Sequence, residues 1–152
     1  MKLAEALLLR SEHQKKLEEL EARIQANLKV QEGDELQEDP EVLLQAAMAE
    51  QEALCALVRR INRTNHALHL EGNMTLSDAL AERDMLRGKR ALLARVAESA
   101  RNRDYRLTHS EVKMRLMVDQ GKLQKEIDAL SKQFRELDTR IQGINWTSEL
   151  LD

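Results

Sequence analysis

The sequence predicts an all-α protein of four long amphipathic helices, arranged as a bundle or coiled coil, with a small two-stranded β element in the connections. Three observations carry this. Charged residues make up 34% of the chain and aromatic residues 2%, a composition of long amphipathic helices rather than of a sheet. One Pro and five Gly leave few places where a helix must stop. Leu, Ile, Val, Ala and Met also return every three or four residues along most of the length, which lines them up on one helical face. The 152 residues fit a single helical domain.

The first helix is predicted over residues 2–28, where Leu3, Leu7, Leu17, Leu20, Ile24 and Leu28 share a stripe with His13. The second runs over 40–70. Asp39 is its N-cap, Pro40 takes the first helical position and Glu41 the first turn. Its stripe passes through Ala47, Leu54, Leu57 and Ile61 and is apolar except at Asn65 and around Glu50 and Gln51. Cys55 lies in this apolar stretch and reads as a packed thiol. The third helix covers 76–100, opened by Thr75 and Asp78 in the spacing of a capping box. The short link from Leu70 to Thr75 predicts an antiparallel hairpin of helices two and three.

The fourth helix, over 119–144, has the cleanest pattern. Leu123, Ile127, Leu130, Phe134, Leu137, Ile141 and Ile144 alternate four- and three-residue steps, a coiled-coil seam that predicts a homo-oligomer. Before it, Val112, Met114, Leu116 and Val118 occupy every second position. That spacing predicts a strand over 111–118, with the brief alternation at 28–31 as its pairing partner.

The net charge is −3, so no general attraction to nucleic acid or an anionic surface follows. The charge is nevertheless uneven. Residues 31–41 carry Glu32, Asp34, Glu35, Glu38, Asp39 and Glu41 and no base, while Arg101, Arg103 and Arg106 surround Tyr105 in a basic segment over 101–115. Those arginines are candidate anion contacts, and a nucleic-acid binder is one alternative reading of the chain. No apolar run is long enough to span a bilayer, and Glu5 interrupts any secretory signal at the start. The chain reads as cytoplasmic.

Little in the sequence carries chemistry. It has no phosphate-binding glycine loop, no nucleophile motif and no dinucleotide fingerprint, so neither a catalytic residue nor a cofactor is predicted. His66 and His69 sit three apart on one helix and are the nearest approach to a zinc site. Glu18, Glu19, Glu21, Glu82 and Asp84 are the carboxylates that a metal-dependent helical-bundle hydrolase, another alternative, would draw on. A polar group in an apolar seam fixes register or partner number. Asn65 is predicted to do this, within a polar cluster of Asn62, Arg63, Arg83 and Asp138.

Across nearly its whole length the chain resembles a group of short bacterial helical proteins, an uncharacterised family often labelled septicolysin. The resemblance lies in Lys2-Leu3-Ala4-Glu5-Ala6-Leu7, Lys29-Val30-Gln31-Glu32-Gly33, Ile61-Asn62-Arg63-Thr64-Asn65, Leu137-Asp138-Thr139-Arg140-Ile141-Gln142 and Asn145-Trp146-Thr147-Ser148-Glu149-Leu150. The label implies a membrane-active, thiol-activated toxin, and it implies no catalytic residues. The residues themselves favour a non-enzymatic helical oligomer acting as a structural or interaction module.

Overall fold

Apolar spacing and capping chemistry together produce four helices in the computed structural model, which describes residues 1–102 and 114–152. They are α1 (Leu3–Ala26), α2 (Pro40–Ala67), α3 (Leu76–Arg101) and α4 (Gln120–Thr147). Each start is held by a side chain that accepts from an otherwise orphaned N–H. The Glu5 carboxylate accepts from Lys2 N–H at 2.7 Å and Asp39 Oδ1 from Glu41 N–H at 2.9 Å. Thr75 and Asp78 form the reciprocal box, Thr75 Oγ1 accepting from Asp78 N–H at 3.1 Å and Asp78 Oδ2 from Thr75 N–H at 3.0 Å. Asp119 Oδ1 accepts from Lys122 N–H at 3.0 Å.

The chain forms two compact units, Met1–His69 with Gln142–Asp152, and Leu70–Ile141. In the first unit α1 and α2 pack as an antiparallel pair. Leu20 and Ile24 meet Leu43 and Ala47, and the buried row of α2 continues through Leu54, Leu57 and Ile61 to Thr64. The loop between the two helices is pinned by Asn27, which is buried. Its Nδ2 donates to Arg23 O at 2.9 Å and its Oδ1 accepts from Glu38 N–H at 3.1 Å. This fork ends α1 at Ala26, and Gly33 takes a φ of 95°, where a side chain would be strained.

The two ends of the chain meet in the same unit. Leu3 N–H donates to Ser148 O at 3.0 Å and Leu150 N–H to Met1 O at 2.9 Å, an antiparallel bridge between Lys2 and Glu149. Lys2 Nζ and the Met1 ammonium converge on the Glu149 carboxylate at 2.6 and 3.0 Å. The Lys2 hydrogen bond, then that of the amine, hold this carboxyl below the usual carboxylate range.

In the second unit the turn before α3 closes through Leu70 N–H donating to Met74 O at 3.0 Å, with Gly72 at φ 56°. The buried residues here are Leu76, Ala79, Leu86 and Ala97 of α3 and Leu137 and Ile141 of α4.

Two expectations need correction. The two-stranded β element is not formed among the described residues. Residues 28–31 and 114–118 are both irregular, and Met114, Leu116, Met117 and Val118 are exposed. Alternating side chains make a strand only where the backbone N–H and C=O groups find a ladder, and neither segment has one; residues 111–113 lie outside the described residues. Cys55 is exposed rather than packed. It is flanked by Leu54 and is two positions before Leu57, both of which turn toward α1, and the helical rotation carries it to the other side.

Candidate functional site

In the first unit, α1 and α2 join polar groups around one buried carboxylate. Glu50 is 8% exposed in a row otherwise made of Leu43, Leu54, Leu57 and Ile61. Lys16 Nζ donates to its Oε2 at 2.6 Å, and His13 Nδ1 lies 2.5 Å from its Oε1, so that nitrogen carries the proton. Lys16 first, then His13, hold the Glu50 carboxyl below its ordinary value. His13 was visible in the stripe of α1; Glu50 was visible only as an interruption in α2. Two bases one helical turn apart, facing an acid on the neighbouring helix, are the signal that connects them.

A second cluster lies toward the C-terminal end of α2. Arg60 Nε donates to Leu151 O at 3.1 Å and its Nη2 to Asp152 Oδ1 at 3.0 Å. Arg63 donates to the Asp152 carbonyl. Thr64, fully buried, donates to Arg60 O at 2.8 Å and accepts from Leu151 N–H at 3.0 Å. The buried polar residue at this end of the helix is therefore Thr64, while Asn65 is half-buried and Asn62 exposed.

In the second unit Arg83 Nη1 donates to Asp138 Oδ1 at 2.9 Å, joining α3 to α4. Arg87 and Arg90 lie 5.4 and 5.7 Å from the Phe134 ring centroid, within cation–π range. Near the turn a cavity of about 310 Å³ is lined by Leu70, Glu71, Met74, Leu86, Leu137 and Arg140 among others. Arg140 Nη1 donates to Glu71 Oε1 at 2.8 Å across it. Of the polar cluster named from sequence, Arg83 and Asp138 come together here, whereas Asn62 and Arg63 belong to the other unit.

The seam of α4 is unevenly covered. Leu137 and Ile141 are buried, and Leu123, Ile127, Leu130, Phe134 and Ile144 are half-buried. His66 is exposed, and the His69 ring nitrogen Nδ1 is engaged with Ala67 O at 3.1 Å. Among the described residues no three His, Cys, Asp or Glu side chains converge as metal ligands. Arg101 ends α3 and donates back to Ala97 O at 3.3 Å; Arg103 and Arg106 lie outside the described residues. No helix among the described residues is long and apolar enough to cross a membrane.

These clusters fasten one element to another. Glu50, Asp138 and the Arg60–Arg63 pair are each occupied by a partner from within their own unit.

The family model of DUF6847, described as a family of unknown function, matches residues 10–150. The chain belongs to this family. It is also similar to a protein from Corynebacterium diphtheriae whose crystal structure is titled that of a functionally unknown conserved protein. That match has a TM-score of 0.92 and 40% sequence identity, covering 99% of this chain and 99% of that one. No curated protein matches the DUF6847 chain.

Proposed function

We propose that this DUF6847 protein is a non-enzymatic, self-associating helical module that serves a structural or interaction role in the cytoplasm. One observation carries the reading: large aliphatic side chains remain at the surface of well-formed helices. Leu8 of α1, Val42, Leu44 and Met48 of α2 and Leu92 of α3 are each about half exposed or more, and the first half of the α4 seam is only half-covered. Single exposed aliphatics are ordinary, but Leu44 and Met48 stand one turn apart on α2, and neighbouring exposed apolar groups mark an association surface. The polar clusters agree with this role, since each clamps elements of its own unit together.

Size-exclusion chromatography with light scattering, over a concentration series through the micromolar range, tests the reading. The expected result is a mass of at least twice the monomer; a monomer throughout would overturn it. A membrane-active role of the kind the septicolysin resemblance implies makes a different prediction, dye release from loaded liposomes, and a positive result there would replace this reading.

A further inference from the structure

We infer that two copies of this chain associate through a charge-matched contact, the acidic turn at residues 30–36 of each seated on the outer face of α3 of the other. This deepens the self-association proposed above and rests on it. From Met85 to Ala97 the charged residues of α3 are Arg87, Lys89, Arg90 and Arg95, with no acid among them, although the whole chain carries a net charge of −3. Arg87 and Arg90 are drawn to the Phe134 ring of α4. Lys89 and Arg95 are exposed and make no ion pair among the described residues. They flank Met85, Gly88 and Leu92, which the 3.6-residue repeat sets on the side away from the buried Leu86 and Ala97. Met85 and Leu92 are exposed there.

Gly88 marks this face as one that a partner approaches closely. Glycine weakens a helix interior relative to alanine, and no described neighbour within the chain requires it, since a Cβ at this position would meet nothing within 4 Å. The bare backbone leaves a notch between Met85 and Leu92, about one turn to either side. The acidic turn has the complementary form. Asp34 N–H donates to Gln31 O at 3.0 Å, which gathers Glu32, Asp34 and Glu35 around Gly33. These three acids are exposed and make no ion pair among the described residues, and Val30 and Leu36 stand exposed on either side of them. The Asn27 fork onto Arg23 and Glu38 holds the base of the turn before binding, which lowers the ordering cost of association. Seated on α3 of the second copy, Val30 and Leu36 meet Met85 and Leu92 over Gly88, and the carboxylates meet Lys89 and Arg95. Each copy owns one turn and one face, so a two-fold pair makes the contact twice. Exposed ion pairs add little affinity singly; here opposite sets of charge select which surfaces meet.

The test is light scattering and sedimentation on the full chain over a concentration series. Raising ionic strength from about 0.05 to about 0.5 M is expected to weaken the dimer about 10-fold or more. Lys89→Glu with Arg95→Glu, and separately Glu32→Lys with Glu35→Lys, are each expected to raise the dissociation constant about 10-fold or more. Mixing the two variants should restore the dimer, because both contacts of the mixed pair are again between opposite charges, a rescue that a contact within one chain does not give. Gly88→Glu should leave the helix at least as stable while weakening the dimer by a similar factor, since it fills the notch with a carboxylate. Circular dichroism should stay unchanged in all of them; if a charge variant lost helical signal, the wild-type salt series and Gly88→Glu would decide. A wild-type oligomer indifferent to salt and to reversal at Lys89 and Arg95 overturns this contact while self-association stands. Failure of the mixture to rescue overturns the pairing of the turn with α3, and an unaffected Gly88→Glu overturns the seat over the notch. A wild-type monomer overturns the underlying reading itself, and if that monomer retards single-stranded RNA through Lys89 and Arg95, the occupant of this face is nucleic acid.

Discussion

Helices α2 and α4 have the same length, 28 residues, and solve the problem of burial differently. α4 separates its surfaces: the seam points one way, while Lys122, Lys125, Glu126, Asp128, Lys132, Arg135 and Glu136 fill the exposed side. α2 keeps a buried row from Leu43 to Thr64, yet leaves Leu44 and Met48 exposed among Glu41, Gln45, Gln51, Glu52 and Arg59 of its outer side. A clean stripe therefore identifies the face that packs, and large apolar side chains left on the opposite face identify a helix with more to bury. The helix with the better coiled-coil pattern is not the one with the greater unmet burial.

The comparison can be broken most forcefully at the seam. Ile141→Ala should cost about 3 kcal/mol in chemical denaturation, because Ile141 has no exposed surface. Leu123→Ala, at a half-buried position of the same seam, should cost about 1 kcal/mol. Equal losses would show the seam to be evenly packed after all. Next in size, Thr64→Val should cost about 1–2 kcal/mol by leaving the Leu151 N–H without its acceptor. Hydrogen exchange at Leu151 should accelerate in that variant, while Asn65→Leu one position along should leave it slow.

Glu50 gives α2 a pH signature. Its folded-state pKa lies below the unfolded value, so its contribution is fully present above the unfolded carboxylate range and disappears as pH falls through the lower folded value. Urea titrations between neutral and acid pH should show wild type losing more stability than Glu50→Gln across that window; parallel curves would mean that the carboxylate adds nothing. The smallest effect belongs to Met48→Ala. It should leave the denaturation midpoint of a dilute, dissociated sample nearly unchanged, because the side chain is 67% exposed.

The helices and their starts were legible because their signals are local. Asp39-Pro40 and Thr75 with Asp78 need only neighbouring residues, and the repeats of α1 and α4 need only one helix. What depended on a second segment was not legible. The alternation at Met114, Leu116 and Val118 looked like a strand, but a strand is defined by its ladder partner. Asn65 and Thr64 are adjacent, and the choice of which turns inward is made by the tail that bonds Thr64 Oγ1. Glu50 looked like a fault in a stripe until His13 and Lys16 were placed beside it. The seam of α4 showed which residues face inward but not how deeply each would be covered, since depth depends on the neighbours at each level. Cys55 was misplaced for a related reason, as surrounding alanines and leucines blur the direction in which a helix faces.

The meeting of the chain ends also sets an order of events in time. Leu3 N–H has its acceptor in Ser148, so the first turn of the first helix emerges during synthesis long before its anchor is made. Joining such distant segments carries the entropy of closing a loop of more than a hundred residues, from Leu3 to Ser148. Emergence of residues 148–150, rather than synthesis of α1, is therefore what completes this contact, and a nascent chain stalled after Thr147 would hold α1 with an unfastened beginning.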